Sequence, residues 1–195
     1  MRSATTLAVL VGGLALAGCG SSGGGTNAMT DMAMGSSMDM GSTAPAAMDM
    51  TQLAKATQGD EEIVLSAMAP ETFYVSDGTG LRKQAPGPDD RAHMMVTVSD
   101  RASGIRLPDA TVTLRLTGPT GRSVFDGPLY PMIGRGMGMH YGENVPLPQT
   151  GRYHASLVVG PSRIGRHRSV RTAWTSAHRI DLAFAWDGSK AAPAT

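Results

Sequence analysis

Beyond residue 58 the chain consists of short stretches in which apolar and polar residues alternate. One stretch, 62–68, is a continuous apolar run; four others alternate with a period of two, at 93–99, 111–117, 153–159 and 180–186. No segment sustains the 3.6-residue apolar period of a helix, and glycine or proline interrupts the pattern every ten to fifteen residues. The pattern predicts an all-β fold, an immunoglobulin-like antiparallel β-sandwich over residues 59–188, with a disordered tail at 189–195.

The alternation at 93–99 also predicts where the side chains point. Met94, Val96 and Val98 lie on one face of this strand, which we assign to the core, so His93 and Met95 share the outer face. An imidazole and a thioether two residues apart on one face can bind a single metal ion. The alternative is that His93 is an ordinary solvated histidine on the surface.

The first eighteen residues have the pattern of a bacterial lipoprotein signal peptide. Arg2 precedes a short apolar run, 7–16, which is followed by the sequence Leu16-Ala17-Gly18-Cys19. The run is too short for a membrane span, which needs about 20 apolar residues. Cys19 is the only cysteine, so no internal disulfide can form. The signal predicts lipidation of Cys19 and an exported lipoprotein, anchored to the membrane and facing the periplasm or the cell surface.

Residues 19–58 combine small and polar residues with an unusual set of methionines. This segment has no aromatic residue and is rich in Gly, Ser, Ala and Thr, which predicts a disordered tether. Six of its methionines form pairs with aspartates at positions 31, 39 and 49 beside them: Met32-Ala-Met34, Met38-Asp-Met40 and Met48-Asp-Met50. Thioethers spaced in this way on a flexible chain can converge on one soft cation. The alternative is a linker of drifting composition.

The segment Pro131–Tyr141 concentrates the candidate metal ligands. Its glycines, at positions 134, 136 and 138, argue against a helix or a central strand and predict a loop. The loop carries one imidazole and three thioethers: His140, Met132, Met137 and Met139. Such a soft ligand set suits copper, Cu(I) above all, far better than magnesium or calcium. The alternative is that these methionines fill gaps in the core.

The run from Pro131-Met132 to His140-Tyr141-Gly142, followed by Gly151-Arg152-Tyr153, resembles the periplasmic iron-transport-associated copper-binding proteins. That family includes the treponemal surface lipoprotein antigen, and its members are immunoglobulin-like sandwiches that are often homodimers. The resemblance implies that Met132 and His140 bind the metal. It implies that His93 matches the first histidine of the family's early His-x-Glu pair, and that His167 matches a histidine in a late loop.

The chain departs from the family pattern in ways that soften the site. Met95 replaces the early glutamate, and the loop has Arg135, Met137 and Met139 where the family has an acidic residue. Fewer oxygen ligands and more sulfur ligands favour Cu(I) over Cu(II), with iron as a second candidate metal. His167 stands among several arginines, so the alternative for it is a basic solvated loop.

Charge and motifs narrow the function further. The formal net charge is only +1, which implies neither nucleic acid nor an acidic surface as a partner. No nucleophile–base or phosphate-binding motif stands out, so we do not expect an enzyme. The sequence therefore predicts a lipid-anchored copper-binding protein in metal uptake or tolerance, with an inner-membrane metal permease as a candidate partner. The competing prediction is a structural or adhesive lipoprotein that binds another protein and has no metal role.

Overall fold

The structure is a computed structural model that describes residues 49–195. The predicted signal peptide, Cys19 and all of the Met-x-Met pairs except Met50 lie outside these residues. Eleven strands and one 3-10 helix (Arg168–Val170) follow in order; the strands are β1 (Thr51–Gln58), β2 (Glu61–Met68), β3 (Phe73–Ser76), β4 (Leu81–Gln84), β5 (Asp90–Asp100), β6 (Val112–Thr117), β7 (Ser123–Gly134), β8 (Gly138–Pro146), β9 (Gly151–Val159), β10 (His178–Trp186) and β11 (Ala191–Pro193). Within residues 49–195, no helix is long and apolar enough to cross a membrane.

Nine of the strands form two antiparallel layers that share strand β7. The strand order is β1-β2-β5-β8-β7-β6-β9-β10-β11, and β3 pairs separately with β4. Residues 123–129 of β7 pair with β6 in one layer, and residues 130–134 pair with β8 in the other. Pro128 and Pro131 flank this switch; proline has no N–H for a ladder and is found in strands where regular pairing is interrupted. The predicted all-β sandwich is confirmed.

The core lies between the layers and is built from the alternating positions that the sequence marks. Met94, Val96 and Val98 are buried in it, as predicted. They pack with inward-facing residues of the opposite layer, including Leu114, Leu116, Tyr153, Leu157 and Phe184. Apolar burial of this kind stabilises the fold by roughly 25 cal/mol per Å² removed from water.

The ordered domain extends beyond the predicted 59–188 at both ends. Residues 51–58, which we assigned to the disordered tether, form β1 and pair with β2. Within the predicted tail, Ala191–Pro193 forms β11 on the edge of β10. Both segments are polar or small, so their own pattern is weak; they are ordered because a neighbouring strand supplies the hydrogen-bond ladder and because Leu53 and Ala191 are buried.

The segment Pro131–Tyr141 is a β-hairpin rather than the predicted loop. β7 continues to Gly134, residues 135–137 form the turn, and β8 begins at Gly138. Gly136 and Gly138 have φ angles of 81° and 71°, a left-handed conformation that glycine adopts without strain. The glycines thus serve the turn, and the residues on either side of it remain in register in the sheet.

Tyr141 offers a test of how the hairpin is held to the rest of the domain. Its buried hydroxyl donates to Leu107 O and accepts from Ala110 N, each at 2.9 Å. We expect Tyr141→Phe to lower the free energy of unfolding by about 1–3 kcal/mol, because it leaves a buried N–H and C=O unpaired. Chemical denaturation measures this loss. The control is Tyr74→Phe on the exposed side of β3, and equal stability of the two variants would contradict the assignment.

Candidate metal centre

The register of three neighbouring strands places most of the predicted ligands on one face. His93 and Met95 of β5 lie opposite Asn144 and Gly142 of β8. In turn, Met132 of β7 lies directly opposite His140 of β8. Directly opposed residues of an antiparallel pair project to the same side, with Cβ atoms about 5 Å apart. The face therefore gathers two imidazoles and two thioethers from three strands.

This face is buried, which corrects the prediction that His93 and Met95 lie on the outer surface. The exposed fraction is 0% for His93 and 2% for Met95. The phase of the alternation was right, but the segment leading into β3 covers the far side of the sheet. Phe73 packs edge to face on His93 with ring centroids 5.3 Å apart, and Glu71 lies beside the same imidazole. A sequence pattern reports the direction of a side chain and not what covers it.

Two neighbours in β8 position the His93 ring. Gly142 leaves room for it, since a Cβ at that residue would be 2.6 Å from His93 Nε2. Asn144 then orients the ring: His93 Nδ1 donates to Asn144 Oδ1 at 3.1 Å. Because the amide oxygen can only accept, the proton is on Nδ1 and the lone pair is on Nε2.

His140 is arranged in the same way. Its Nδ1 donates to the Gly138 carbonyl oxygen at 3.0 Å, which again leaves the lone pair on Nε2. The two rings are perpendicular, with centroids 6.3 Å apart. Neither Nε2 atom has a hydrogen-bond partner within residues 49–195, although both are buried. In a metal-binding histidine, one ring N–H usually donates a hydrogen bond to an oxygen atom, and the other ring nitrogen is left free to bind the metal.

Burial also favours the neutral form of both imidazoles. Desolvation lowers the pKa of His93 below its ordinary value of 6.5, outweighing the Asn144 hydrogen bond and the Glu71 charge, which act in the opposite direction. Desolvation likewise lowers the pKa of His140, and the hydrogen bond to Gly138 O opposes it only in part. Neutral imidazole is the form that binds a metal, so the environment favours the ligand state.

A cavity of about 450 Å³ opens beside the His140 imidazole. His140, Met95 and Met137 line it, and so does Met50, the last methionine of the predicted Met-x-Met pairs. Met132 is half-buried next to His140 on the neighbouring strand. The structure thus brings together five of the seven predicted metal ligands: His93, Met95, Met132, Met137 and His140.

The structure does not bring the other two predicted ligands to this group. Met139 alternates with His140, projects to the opposite side of the hairpin and packs against the hydrophobic core. His167 is exposed at the start of the 3-10 helix and is not among the residues that line the cavity. For Met139, the alternative of a methionine that fills the core describes its position.

Sequence reasoning missed Glu71 and Asn144. Glu71 Oε1 lies 3.9 Å from His93 Nε2. Asn144 clamps the Glu71 backbone by donating from Nδ2 to Glu71 O at 2.8 Å and accepting from Glu71 N at 3.2 Å. Asn144 could have been predicted to face the site, because it lies four residues after His140 and therefore on the same face of an alternating strand. Nothing local marks Glu71, because its contact with Asn144 spans 73 residues.

The donor set fits a soft or borderline metal ion. Within residues 49–195, no group of three or more His, Cys, Asp or Glu side chains is arranged to hold a metal. The Nε2 atoms of His93 and His140 and the sulfur of Met132 supply nitrogen and sulfur donors from adjacent strands. Nitrogen with thioether sulfur suits copper and does not suit magnesium or calcium.

Comparison with known sequences identifies a family. Residues 46–183 match the sequence profile of a family described as a domain of unknown function, DUF7350. No curated protein matches the chain.

Comparison with solved structures identifies proteins of similar fold. A copper-bound glutamate-to-glutamine variant of FetP from uropathogenic Escherichia coli strain F11 superposes with a TM-score of 0.58 at 17% identity, covering 73% of this chain and 96% of FetP. Copper-reconstituted P19 from Campylobacter jejuni gives a TM-score of 0.58 at 19% identity, covering 72% of this chain and 98% of P19. Both neighbours are described as copper-bound or copper-reconstituted proteins, and the likeness to them shows the fold of this chain.

The bare imidazole nitrogens lead to a prediction about pH. In an NMR titration of the metal-free protein, we expect His93 and His140 to titrate with pKa values below 6.5, because burial favours their neutral forms. As the pH falls below 6.5, the unfolded chain takes up protons that these folded imidazoles do not, so both groups then destabilise the folded state. A pKa at or above 6.5 for either ring would contradict the environment described here.

Proposed function

We propose that this chain, which belongs to the DUF7350 family, is an exported lipid-anchored protein that binds copper and prefers Cu(I) to Cu(II). The observation that carries the proposal is the pair of buried Nε2 atoms of His93 and His140, which have no hydrogen-bond partner within residues 49–195. They lie beside thioethers on one face of the sheet. Copper is also bound by FetP and P19, two proteins of similar fold.

The strand register supports the proposed ligand assignment. His93 and His140 supply the nitrogen donors, and Met132 supplies a sulfur donor from the position opposite His140. Met95 and Met137 line the adjoining cavity, where their thioethers extend the soft surface toward its mouth. Thioether sulfur stabilises the lower oxidation state of copper, which is the reason for assigning Cu(I). Iron is a second candidate cargo.

The Met-rich tether is proposed to deliver copper to this cavity. Met50 is the second methionine of the last Met-x-Met pair in the sequence. In the structure it lines the same cavity as Met95, Met137 and His140. A cation held by the tether would therefore meet a continuous series of thioethers as it approached the imidazoles.

The cellular setting of the proposal rests on the sequence. Cys19 carries the lipid anchor, and the domain faces the periplasm or the cell surface. The protein binds copper rather than acting as an enzyme. An inner-membrane metal permease is the proposed recipient, and homodimerisation is the proposed assembly.

Substitutions on the two faces of the hairpin test the copper site. We expect Met132→Leu and His140→Asn each to weaken Cu(I) binding at least about tenfold, equivalent to about 1.4 kcal/mol, and the double variant to abolish it. Competition with a chromogenic Cu(I) chelator measures the affinity. Met139→Leu is the matched control: it conserves volume on the opposite face of the same strand and should bind copper as the natural protein does.

Unchanged Cu(I) affinity in the double variant would refute the ligand assignment. If the natural protein bound copper no more tightly than about millimolar, or −4 kcal/mol, the proposal would give way to the structural or adhesive lipoprotein.

Glu71 tests the preference between oxidation states. Its carboxylate is within reach of a metal at His93 Nε2 and supplies an oxygen donor, which Cu(II) favours more than Cu(I). We expect Glu71→Gln to weaken Cu(II) binding about tenfold and to leave Cu(I) binding within about twofold. Parallel titrations under aerobic and reducing conditions measure both affinities. Equal losses for the two oxidation states would show instead that Glu71 acts through the position of His93.

A further inference from the structure

A second buried group without a partner lies at the far end of the core. Glu61 is the first residue of β2 and points inward in phase with Ile63 and Leu65. Its exposed fraction is 1%, and its Oε2 atom has no hydrogen-bond partner within residues 49–195. A buried carboxylate is costly unless it is paired or binds a metal. For Glu61 Oε2, no hydrogen bond within residues 49–195 offsets the cost of burial.

His178 faces this carboxylate from the opposite layer. It is the first residue of β10 and is half-buried, and its Nε2 atom lies 3.7 Å from Glu61 Oε2. That separation is too long for a hydrogen bond. Both residues line a small cavity of about 70 Å³, and its other lining residues include Asp60, Thr172 and Ser176.

The electrostatic environment favours a positive charge in this cavity. Burial, and to a smaller extent the neighbouring charge of Asp60, raises the pKa of the Glu61 carboxyl from 4.5 to about 7. Either a proton or a metal cation can relieve this unfavourable burial. A metal cation would in addition use His178 Nε2, which lies 3.7 Å from Glu61 Oε2.

We propose that Glu61 Oε2 and His178 Nε2 bind a divalent cation of borderline character, of the class of Zn²⁺ and Cu²⁺, at a second site between the two layers. Two ligands at about 2.0–2.1 Å from a tetrahedral ion are about 3.3 Å apart, so a side-chain shift of a few tenths of an ångström is enough. Water and the nearby hydroxyls complete the coordination. Nitrogen and oxygen donors without sulfur make this site harder than the His93–His140 centre.

The site connects elements that are remote in the sequence. β2 belongs to one layer of the sandwich and β10 to the other, so an ion bound by Glu61 and His178 joins the layers at one end of the core. An ion that binds only the folded state stabilises it in proportion to the logarithm of its concentration. The expected signature is a melting temperature that rises with added zinc.

Zinc titration of the full chain tests the proposal. We expect Glu61→Gln and His178→Asn each to bind one Zn²⁺ ion fewer than the natural protein. Isothermal titration calorimetry measures the number of ions bound. The matched control is Glu62→Gln: Glu62 is the next residue, but its carboxylate pairs with Lys55 Nζ at 2.6 Å on the other side of the strand. The control should bind the same number of ions as the natural protein.

Histidine NMR locates the bound ion directly. The imidazole resonances of His178 should move on addition of Zn²⁺ in the natural protein and in Glu62→Gln, and should stay in place in Glu61→Gln. The proposal is overturned if Glu61→Gln and Glu62→Gln bind the same number of zinc ions, or if the His178 resonances do not respond in the natural protein.

The outcome is separable from that of the proposed function. Cu(I) binding through Met132 and His140 should persist in Glu61→Gln, because the two sites share no residue. If the natural protein does not bind Cu(I) but the His178 resonances respond to zinc, the copper site alone is refuted. A retained copper site without a zinc response at His178 would refute the second site alone.

Discussion

The candidate metal centre is built around two buried imidazole nitrogens that have no hydrogen-bond partner within residues 49–195. A buried polar atom without a partner costs about 1–3 kcal/mol, so the Nε2 atoms of His93 and His140 reduce the stability of the metal-free fold. Neighbouring groups hold the two rings in the orientation that leaves Nε2 without a hydrogen bond. Asn144 and the Gly138 carbonyl hold the Nδ1 protons, and Gly142 leaves the space that His93 occupies. Binding a metal would offset the cost.

Strand β8 couples this site to the core. Its residues alternate between the two sides of the layer: Tyr141 and Val145 are buried in the core, while His140, Gly142 and Asn144 face the site. The Tyr141 hydroxyl holds the strand to the 107–110 segment on the core side. The same strand that secures the packing therefore carries His140 and positions the His93 ring through Gly142 and Asn144.

The two candidate sites differ in the chemistry of their donors. The His93–His140 centre combines imidazole nitrogen with thioether sulfur next to an open cavity. The Glu61–His178 pair combines a carboxylate with an imidazole at a small cavity between the layers. Soft donors at an open cavity suit a cation that is taken up and released, whereas harder donors between two layers suit an ion that stabilises the fold.

Local sequence patterns predicted much of this molecule. Period-two alternation identified the core positions of β5 and the all-β class, because one face of a strand must be apolar when it covers a core. The same alternation put His93 and Met95 on one face. It did not find β1 or β11, whose order depends on pairing with neighbouring strands.

The amino-acid sequence by itself determined which side chains share a face and that the available donors are soft. Only the tertiary structure decided that this face is buried, that Pro131–Tyr141 is a hairpin, and that Glu71 reaches His93. It also packed Met139 against the core and placed Glu61 opposite His178. The physical reason is the range of the interactions: alternation is set by adjacent residues, whereas burial and ligand convergence depend on contacts between segments far apart in the chain.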